Sequence, residues 1–236
     1  MGVTLKLVLR RLLLIAAVVI LAAYPASRLG VFEWPRAFDP FALPDAAQTP
    51  NFLTHWQMRQ IDLNAADCAQ VLTRAGLPAM LRPARNQGSI CEVSGALAMS
   101  RLSTARLRTE DMRCAIAARL YMWERHHLQP KARSILGEEI AEILHFGSFS
   151  CRTIRGRSGM SQHATANAFD ISGFRTKSGK LISVKRDWGK VTPEGVFLSV
   201  ARNGLCEWFN ATLSPDYNAD HADHFHVDMG WWKTCR

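Results

Sequence analysis

The sequence has no closely spaced cysteine pair, no glycine-rich phosphate loop and no G-x-S-x-G motif. The first absence excludes a zinc knuckle and a thioredoxin-like redox site, and the other two argue against nucleotide chemistry and serine hydrolysis. Glycine and proline are also scarce, at 15 and 10 of 236 residues, which excludes a collagen-like or low-complexity chain. These absences leave a mostly globular protein whose chemistry depends on other residue types.

Acidic residues are missing from the first 32 positions, and the first carboxylate is Glu33. Lys6, Arg10 and Arg11 stand ahead of an uncharged, mainly apolar run from Leu12 to Ser27. A basic start followed by a short apolar block is typical of a secretory signal or an uncleaved signal anchor. The pattern favours a retained anchor, a single transmembrane helix, and leaves cleavage open. The rest of the chain is expected to be exported.

Composition agrees with one globular domain behind this segment. Hydrophobic residues make up 48% of the chain, which excludes wholesale disorder. The mean hydropathy of -0.06 excludes a polytopic membrane protein. The predicted organisation is a signal anchor over 1–30, a proline-rich linker over 31–60 and a single domain over 61–236. The formal net charge of +9 is compatible with nucleic acid, but export disfavours that partner.

All six cysteines lie after the apolar block, at Cys68, Cys91, Cys114, Cys151, Cys206 and Cys235. An even number of cysteines on the oxidising side of a membrane predicts disulfide bonds. The sequence does not determine their connectivity, and sequential pairing is the working expectation.

Periodicity predicts an α+β fold with a small antiparallel sheet flanked by helices and stapled by disulfides. The predicted helices span 64–77, 109–127 and 192–204, with Thr109 and Thr192 as N-cap candidates. The predicted strands are short and rich in aromatic or β-branched residues, and they span 140–152, 167–172 and 225–229.

Two clusters of polar residues interrupt this pattern. His163 and Asp170 have six residues between them, and a second cluster contains His224, His226 and Asp228. On a strand, alternate side chains share a face, so the second cluster would point one way and the apolar residues between its members would point into the core. Two imidazoles and a carboxylate suit Zn²⁺ with a fourth position free for water. The sheet is therefore predicted to carry a zinc site.

These residues also resemble a known family. The runs Ser161–His163, Ala168–Asp170 and His224–His226 are similar to the S-x-H-x(6)-D and H-x-H motifs of peptidoglycan metallopeptidases, which include lysostaphin, the D-Ala-D-Ala peptidases and the hedgehog-like domain. From Asp67 to Arg236 the chain resembles more closely the bacterial extensin-like C-terminal domain. The segments SCRTIRG, SQHATANAFDISGF and YNADHADHFHVDM carry that likeness.

The resemblance implies roles for individual residues. It makes His163, Asp170 and His226 the zinc ligands and His224 the acid/base or transition-state-stabilising histidine. Arg152 falls where relatives carry an arginine before the first ligand, and this side chain would donate to a substrate carboxylate or carbonyl.

Two positions depart from the pattern of the wider superfamily. Asp223 stands where the dipeptidase branch has a glutamate base, and its shorter side chain leaves the identity of the base open. Ala166 replaces a common glycine, a change expected to alter the backbone between the ligands without removing either of them.

The implied function is zinc-dependent amide hydrolysis in the peptide stems or crosslinks of peptidoglycan. The chain would pass once through a bacterial inner membrane and hold its C-terminal domain in the periplasm. Two alternatives are a non-catalytic metal-containing module that binds the cell wall and an exported scaffold that recruits a partner.

Overall fold

The computed structural model describes residues 2–31, 33–86, 91–156 and 158–236. Met1 and Phe32, which fall in the predicted anchor and linker, lie outside the described residues. The chain forms two compact units, 1–42 and 43–236.

The first unit is dominated by one helix, α1, over Gly2–Arg28. Its segment Lys6–Arg28 has a mean hydropathy of 2.3 over its most apolar window, and none of its described side chains is buried. By length and composition α1 can span a membrane, a test that a signal sequence also passes.

The second unit contains six further α-helices among its described residues. In chain order, α2 to α7 are Thr54–Asp62, Ala65–Arg74, Cys114–Trp123, Gln129–Leu136, Val184–Asp187 and Pro193–Trp208. Every residue of α4 is buried, so this helix forms the centre of the apolar core.

The described residues form ten strands in two sheets. The strands β1 to β10 are Arg85–Asn86, Glu92–Val93, Ala96–Arg101, Arg106–Arg113, Ile140–Gly147, Ala168–Thr176, Leu181–Ser183, Ala211–Leu213, Phe225–Asp228 and Thr234–Cys235. Strands β1 and β2 pair alone, and the others form an eight-stranded sheet in the order β10-β8-β9-β6-β5-β4-β3, with β7 on β6.

The α+β class is confirmed, but the prediction of a small antiparallel sheet is wrong. The main sheet has eight described strands and is mixed, because β10 runs parallel to β8 and β4 runs parallel to β5. The hairpin of β3 and β4 contributes two of the strands that the sequence did not predict. The predicted start of the helix at Thr109 lies inside β4, where Leu107 and Met112 are buried.

The helix over 109–127 therefore begins later and ends later than predicted. It starts as α4 at Cys114, passes through a π-helical turn over Glu124–Leu128 and continues as α5. Pro130 does not stop it: this residue lies in the first turn of α5, directly after the π-helical turn.

The N-cap of α7 was predicted correctly. The Thr192 side chain accepts a hydrogen bond from Gly195 N at the start of α7, as expected of an N-cap. The expected stop at Gly204 is wrong, since α7 runs on to Trp208. This glycine serves packing: a Cβ there would lie 2.2 Å from the His127 ring.

The three disulfides join Cys68 to Cys114, Cys91 to Cys151 and Cys206 to Cys235. Sequential pairing is correct for the last pair and wrong for the other four cysteines. The β3–β4 hairpin explains the difference, because it carries the chain away from α3 and returns it at the first residue of α4. Cys68 thereby meets Cys114.

Replacing both Cys68 and Cys114 by serine is expected to lower the free energy of unfolding by about 2–4 kcal/mol. The bond closes a loop with a sequence separation of 46 residues, and losing it restores conformational entropy to the unfolded chain. Urea unfolding followed by tryptophan fluorescence measures the change. An unchanged midpoint and slope would contradict the stabilising role of this crosslink.

Candidate metal centre

Strand pairing places Asp170 beside His226. Asp170 lies on β6, His226 lies on β9, and the two are directly opposite in the antiparallel register. Side chains of opposed residues on one face have Cβ atoms about 4.5–5.5 Å apart. Their neighbours Phe169 and Val227 are fully buried in the core, which directs the two polar side chains to the opposite face of the sheet.

A tight turn brings His163 to the same place. The hydroxyl of Ser161 accepts from His163 N at 3.3 Å, and the His163 carbonyl accepts from Ser150 N at 3.0 Å. The turn closes at Ala166, whose φ of 52° lies in the left-handed region that favours glycine. Ala166 thus adopts a backbone conformation suited to glycine, and the turn keeps His163 in place.

Three donor atoms converge at this point. His163 Nε2 lies 3.1 Å from Asp170 Oδ1 and 3.1 Å from His226 Nδ1, and His226 Nδ1 lies 2.9 Å from Asp170 Oδ1. None of the three residues is more than 9% exposed. Ligands held about 2.0–2.2 Å from a tetrahedral zinc ion are ~3.3 Å apart, so the spacing fits such an ion. Among the described residues, this is the one group of three such side chains close enough to hold a metal.

The other nitrogen of each imidazole is already committed. His163 Nδ1 donates to the Ser148 carbonyl, and His226 Nε2 donates to the Asp228 carboxylate, both at 2.9 Å. Neutral rings in these tautomers direct a lone pair from His163 Nε2 and from His226 Nδ1 toward Asp170. Two lone pairs and a carboxylate at this distance require a cation between them, either a proton or a metal ion. Such partners on the outer nitrogen are typical of metal-binding histidines.

The pKa values of the ligand side chains also indicate that the cluster stabilises a cation. Burial lowers the pKa of His226, but hydrogen bonds to Asp170 and Asp228 outweigh it and raise that pKa to about 9. Burial raises the pKa of Asp170, yet hydrogen bonds with His163 and His226 hold it well below its usual range. The cluster therefore favours positive charge at its centre.

His224 borders the cluster as the sequence suggested. Its Nε2 lies 3.7 Å from Asp170 Oδ1, and its Nδ1 donates to Asp223 Oδ1 at 2.9 Å. The Asp223 carboxylate therefore lies against the outer nitrogen of His224. Arg152 is different: its carbonyl accepts from Ser161 N at 3.1 Å, while its side chain is exposed. Within the described residues, the Arg152 guanidinium makes no ion pair with the cluster.

Sequence reasoning missed two contributors, Ser148 and Phe146. The Ser148 carbonyl fixes His163, but a backbone group leaves no signal in a motif. Phe146 is 57% exposed and meets the His224 ring edge-on at 5.6 Å. His221 stacks on His224 at 5.3 Å, and burial together with the charges of His226 and His224 lowers its pKa to about 4.

Comparison with known proteins gives one match. No curated protein and no solved structure matches the chain significantly. The family described as "Extensin-like protein C-terminus" matches residues 66–236, a range that contains the three converging side chains, His224 and all six cysteines. Through that range, which is most of its length, the chain belongs to the extensin-like protein C-terminus family.

Proposed function

We propose that this protein is a zinc-dependent hydrolase of amide bonds in the peptide stems or crosslinks of peptidoglycan. The observation that carries the proposal is the convergence of two imidazole lone pairs and one carboxylate, with both outer ring nitrogens committed elsewhere. The order of these residues along the chain resembles that of the peptidoglycan metallopeptidases, which supports the same reaction class.

His163, Asp170 and His226 would hold the zinc ion. Bound there, zinc would act as a Lewis acid toward an amide carbonyl and would make water more acidic. Ser148 and Asp228 would keep the two rings in the tautomers that direct lone pairs inward. The sheet supplies rigidity, because Asp170 and His226 are opposed residues of paired strands.

His224 would exchange protons with the substrate. The Asp223 carboxylate accepts a hydrogen bond from His224 Nδ1, and His224 Nε2 faces Asp170. From there the ring would accept a proton as a neutral imidazole or stabilise a developing oxyanion as an imidazolium. Asp223 would thus act chiefly by orienting His224, and the identity of the general base stays open between these two residues.

The rim of the centre suits a peptide. Phe146 offers an exposed apolar wall beside His224. Arg152 and Arg155 are exposed on the loop that precedes the His163 turn, and Arg155 pairs with Asp220 at 2.5 Å. Arg152 would donate to a carboxylate of the peptide stem, which is the type of group an arginine fork recognises.

Helix α1 and the cysteines support a proposal for the location of the protein. We propose that α1 stays in the bacterial inner membrane and that the extensin-like domain faces the periplasm. Three disulfides with no free cysteine among the described residues suit that oxidising compartment. The partners are then peptidoglycan peptides and the membrane, with no role for nucleic acid.

The test is digestion of purified crosslinked muropeptides by the full-length, detergent-solubilised protein, with the products identified by mass spectrometry. The proposal expects new peptide ends from the zinc-loaded wild type and none after chelation. Bound zinc without products would instead favour a wall-binding module. A wild type that binds no zinc and cleaves nothing would favour a scaffold.

Asp228→Asn is expected to weaken zinc binding by about 10–100-fold without abolishing it. The amide keeps an acceptor for His226 Nε2 but loses the charge that favours the donating tautomer. Competition with a chromogenic chelator measures the affinity. Asp111→Asn is the matched control. Asp111 lies on β4 and pairs with Arg85 of β1, and it is not part of the cluster. Equal affinity in both variants would contradict the role of Asp228.

A further inference from the structure

Glu110 holds the turn that follows β5. It lies on β4, and its Oε1 accepts from Ser148 N at 2.9 Å and from Phe149 N at 3.5 Å. These two consecutive amides belong to the turn between β5 and Cys151. A carboxylate accepting backbone N–H groups makes a charge-assisted hydrogen bond, which is stronger than a neutral one.

Gly147 leaves room for the Glu110 carboxylate because it has no side chain. Its φ of +113° is one that L side chains rarely adopt, and a Cβ there would lie 3.2 Å from Glu110 Oε1 and 3.3 Å from Oε2. The carboxylate therefore lies against a bare Cα. The glycine and the glutamate fit each other, although they are 37 positions apart in the sequence.

The same turn fixes His163 from its other side. The Ser148 carbonyl accepts from His163 Nδ1 at 2.9 Å, and the Ser148 hydroxyl donates to the Ala168 carbonyl at 2.7 Å. The Ser148 carbonyl and the Phe149 N–H belong to one planar peptide group, whose two ends point in opposite directions. Glu110 thus contacts one end of the peptide group whose other end receives His163.

We propose that Glu110 is a positioning residue of the metal centre. It acts through the Ser148–Phe149 peptide group, which holds His163 with its Nδ1–H donated outward and its Nε2 toward Asp170. The inference rests on the proposed centre but not on hydrolysis. It adds a residue from β4, a strand that carries none of the ligands.

The first measurement needs no metal. In the full-length, detergent-solubilised protein labelled with ¹⁵N-histidine, the His163 Nδ1–H resonance should exchange slowly with water in the wild type. Glu110→Ala should speed that exchange at least tenfold, because the peptide group that receives the proton loses its anchor. Glu110→Gln keeps an acceptor oxygen and should restore slow exchange. Glu110→Asp is one methylene shorter and should fall between Gln and Ala.

The second measurement is zinc affinity by chelator competition. Glu110→Ala should weaken binding by about 10–100-fold, as removal of an outer partner of a ligand does, and Glu110→Gln should recover most of the loss. Glu142→Ala is the matched control. Glu142 lies on β5 and pairs with Arg175 at 3.1 Å, so its loss should change neither readout.

The outcomes separate this inference from the proposed function. A wild type that binds zinc but cleaves no muropeptide leaves the role of Glu110 intact. A wild type that binds no zinc overturns the metal centre itself, and the exchange rate of the His163 proton then decides only whether Glu110 positions His163. If Glu110→Ala is unfolded by circular dichroism, the Asp and Gln variants give the comparison. Wild-type exchange in every folded variant, or equally fast exchange in Asp and Gln, would overturn the proposal.

Discussion

His163→Ala is expected to abolish both stoichiometric zinc binding and muropeptide hydrolysis. His163 is 3% exposed, and its Nε2 lies 3.1 Å from each of the other two donor atoms. Alanine removes one of three ligands and leaves a cavity beside Asp170 and His226. Two protein ligands are fewer than the three that catalytic zinc sites use. Metal content per chain and product release report the two losses.

The control for this variant is His55→Ala. His55 is an exposed histidine of α2, and its ring packs against Trp208 at 4.7 Å. The substitution removes an imidazole of the same chemistry outside the cluster, so zinc content and turnover should stay at wild-type values. Circular dichroism of both variants excludes global unfolding as the cause. Full zinc content in folded His163→Ala would disprove the assignment of this ligand.

His224→Ala is expected to lower turnover by about 10²–10⁴-fold while zinc remains bound, the range contributed by general acid–base catalysis. His224 is next to the cluster, with its Nε2 3.7 Å from Asp170 Oδ1, but it is not one of the three converging side chains. Its removal deletes a proton-transfer group and leaves the ligand set intact. The separation of activity from metal content is the distinctive result.

Asp223→Asn refines this second prediction. If Asp223 orients His224 through the 2.9 Å hydrogen bond to Nδ1, the amide should cost less turnover than His224→Ala and should leave zinc content unchanged. If Asp223 is itself the base, its loss should cost as much as the loss of His224. Steady-state rates on one muropeptide compare the two. Wild-type turnover in His224→Ala would eliminate this histidine from the mechanism.

Local rules predict which face of β9 carries His226, whereas the set of His163, Asp170 and His226 was implied by the family resemblance, because its convergence depends on the pairing of β6 with β9. Strand alternation places His226 and Asp228 on one face and Phe225 and Val227 on the other, and both apolar residues are fully buried. The start of α7 could also be predicted from the sequence, because Thr192 and Pro193 both act on the first turn of this helix.

What the sequence did not reveal depends on long-range pairing. Residues 106–113 contain a threonine in a cap-like position, and the helical interpretation failed because these residues pair with β3 on one side and β5 on the other. The crosslink of Cys68 to Cys114 follows from that hairpin. Glu110 reaches Ser148 across the same pairing, so its contact with the turn beside His163 has no counterpart in a local motif.

The central claim is that His163, Asp170 and His226 hold one zinc ion. Anomalous diffraction at the zinc absorption edge, from crystals of the full-length protein grown with zinc and washed free of excess metal, tests it most directly. The expected result is a single strong anomalous peak between His163 Nε2, His226 Nδ1 and Asp170 Oδ1. A map with no peak at that position, or with its strongest peak on other side chains, would contradict the claim.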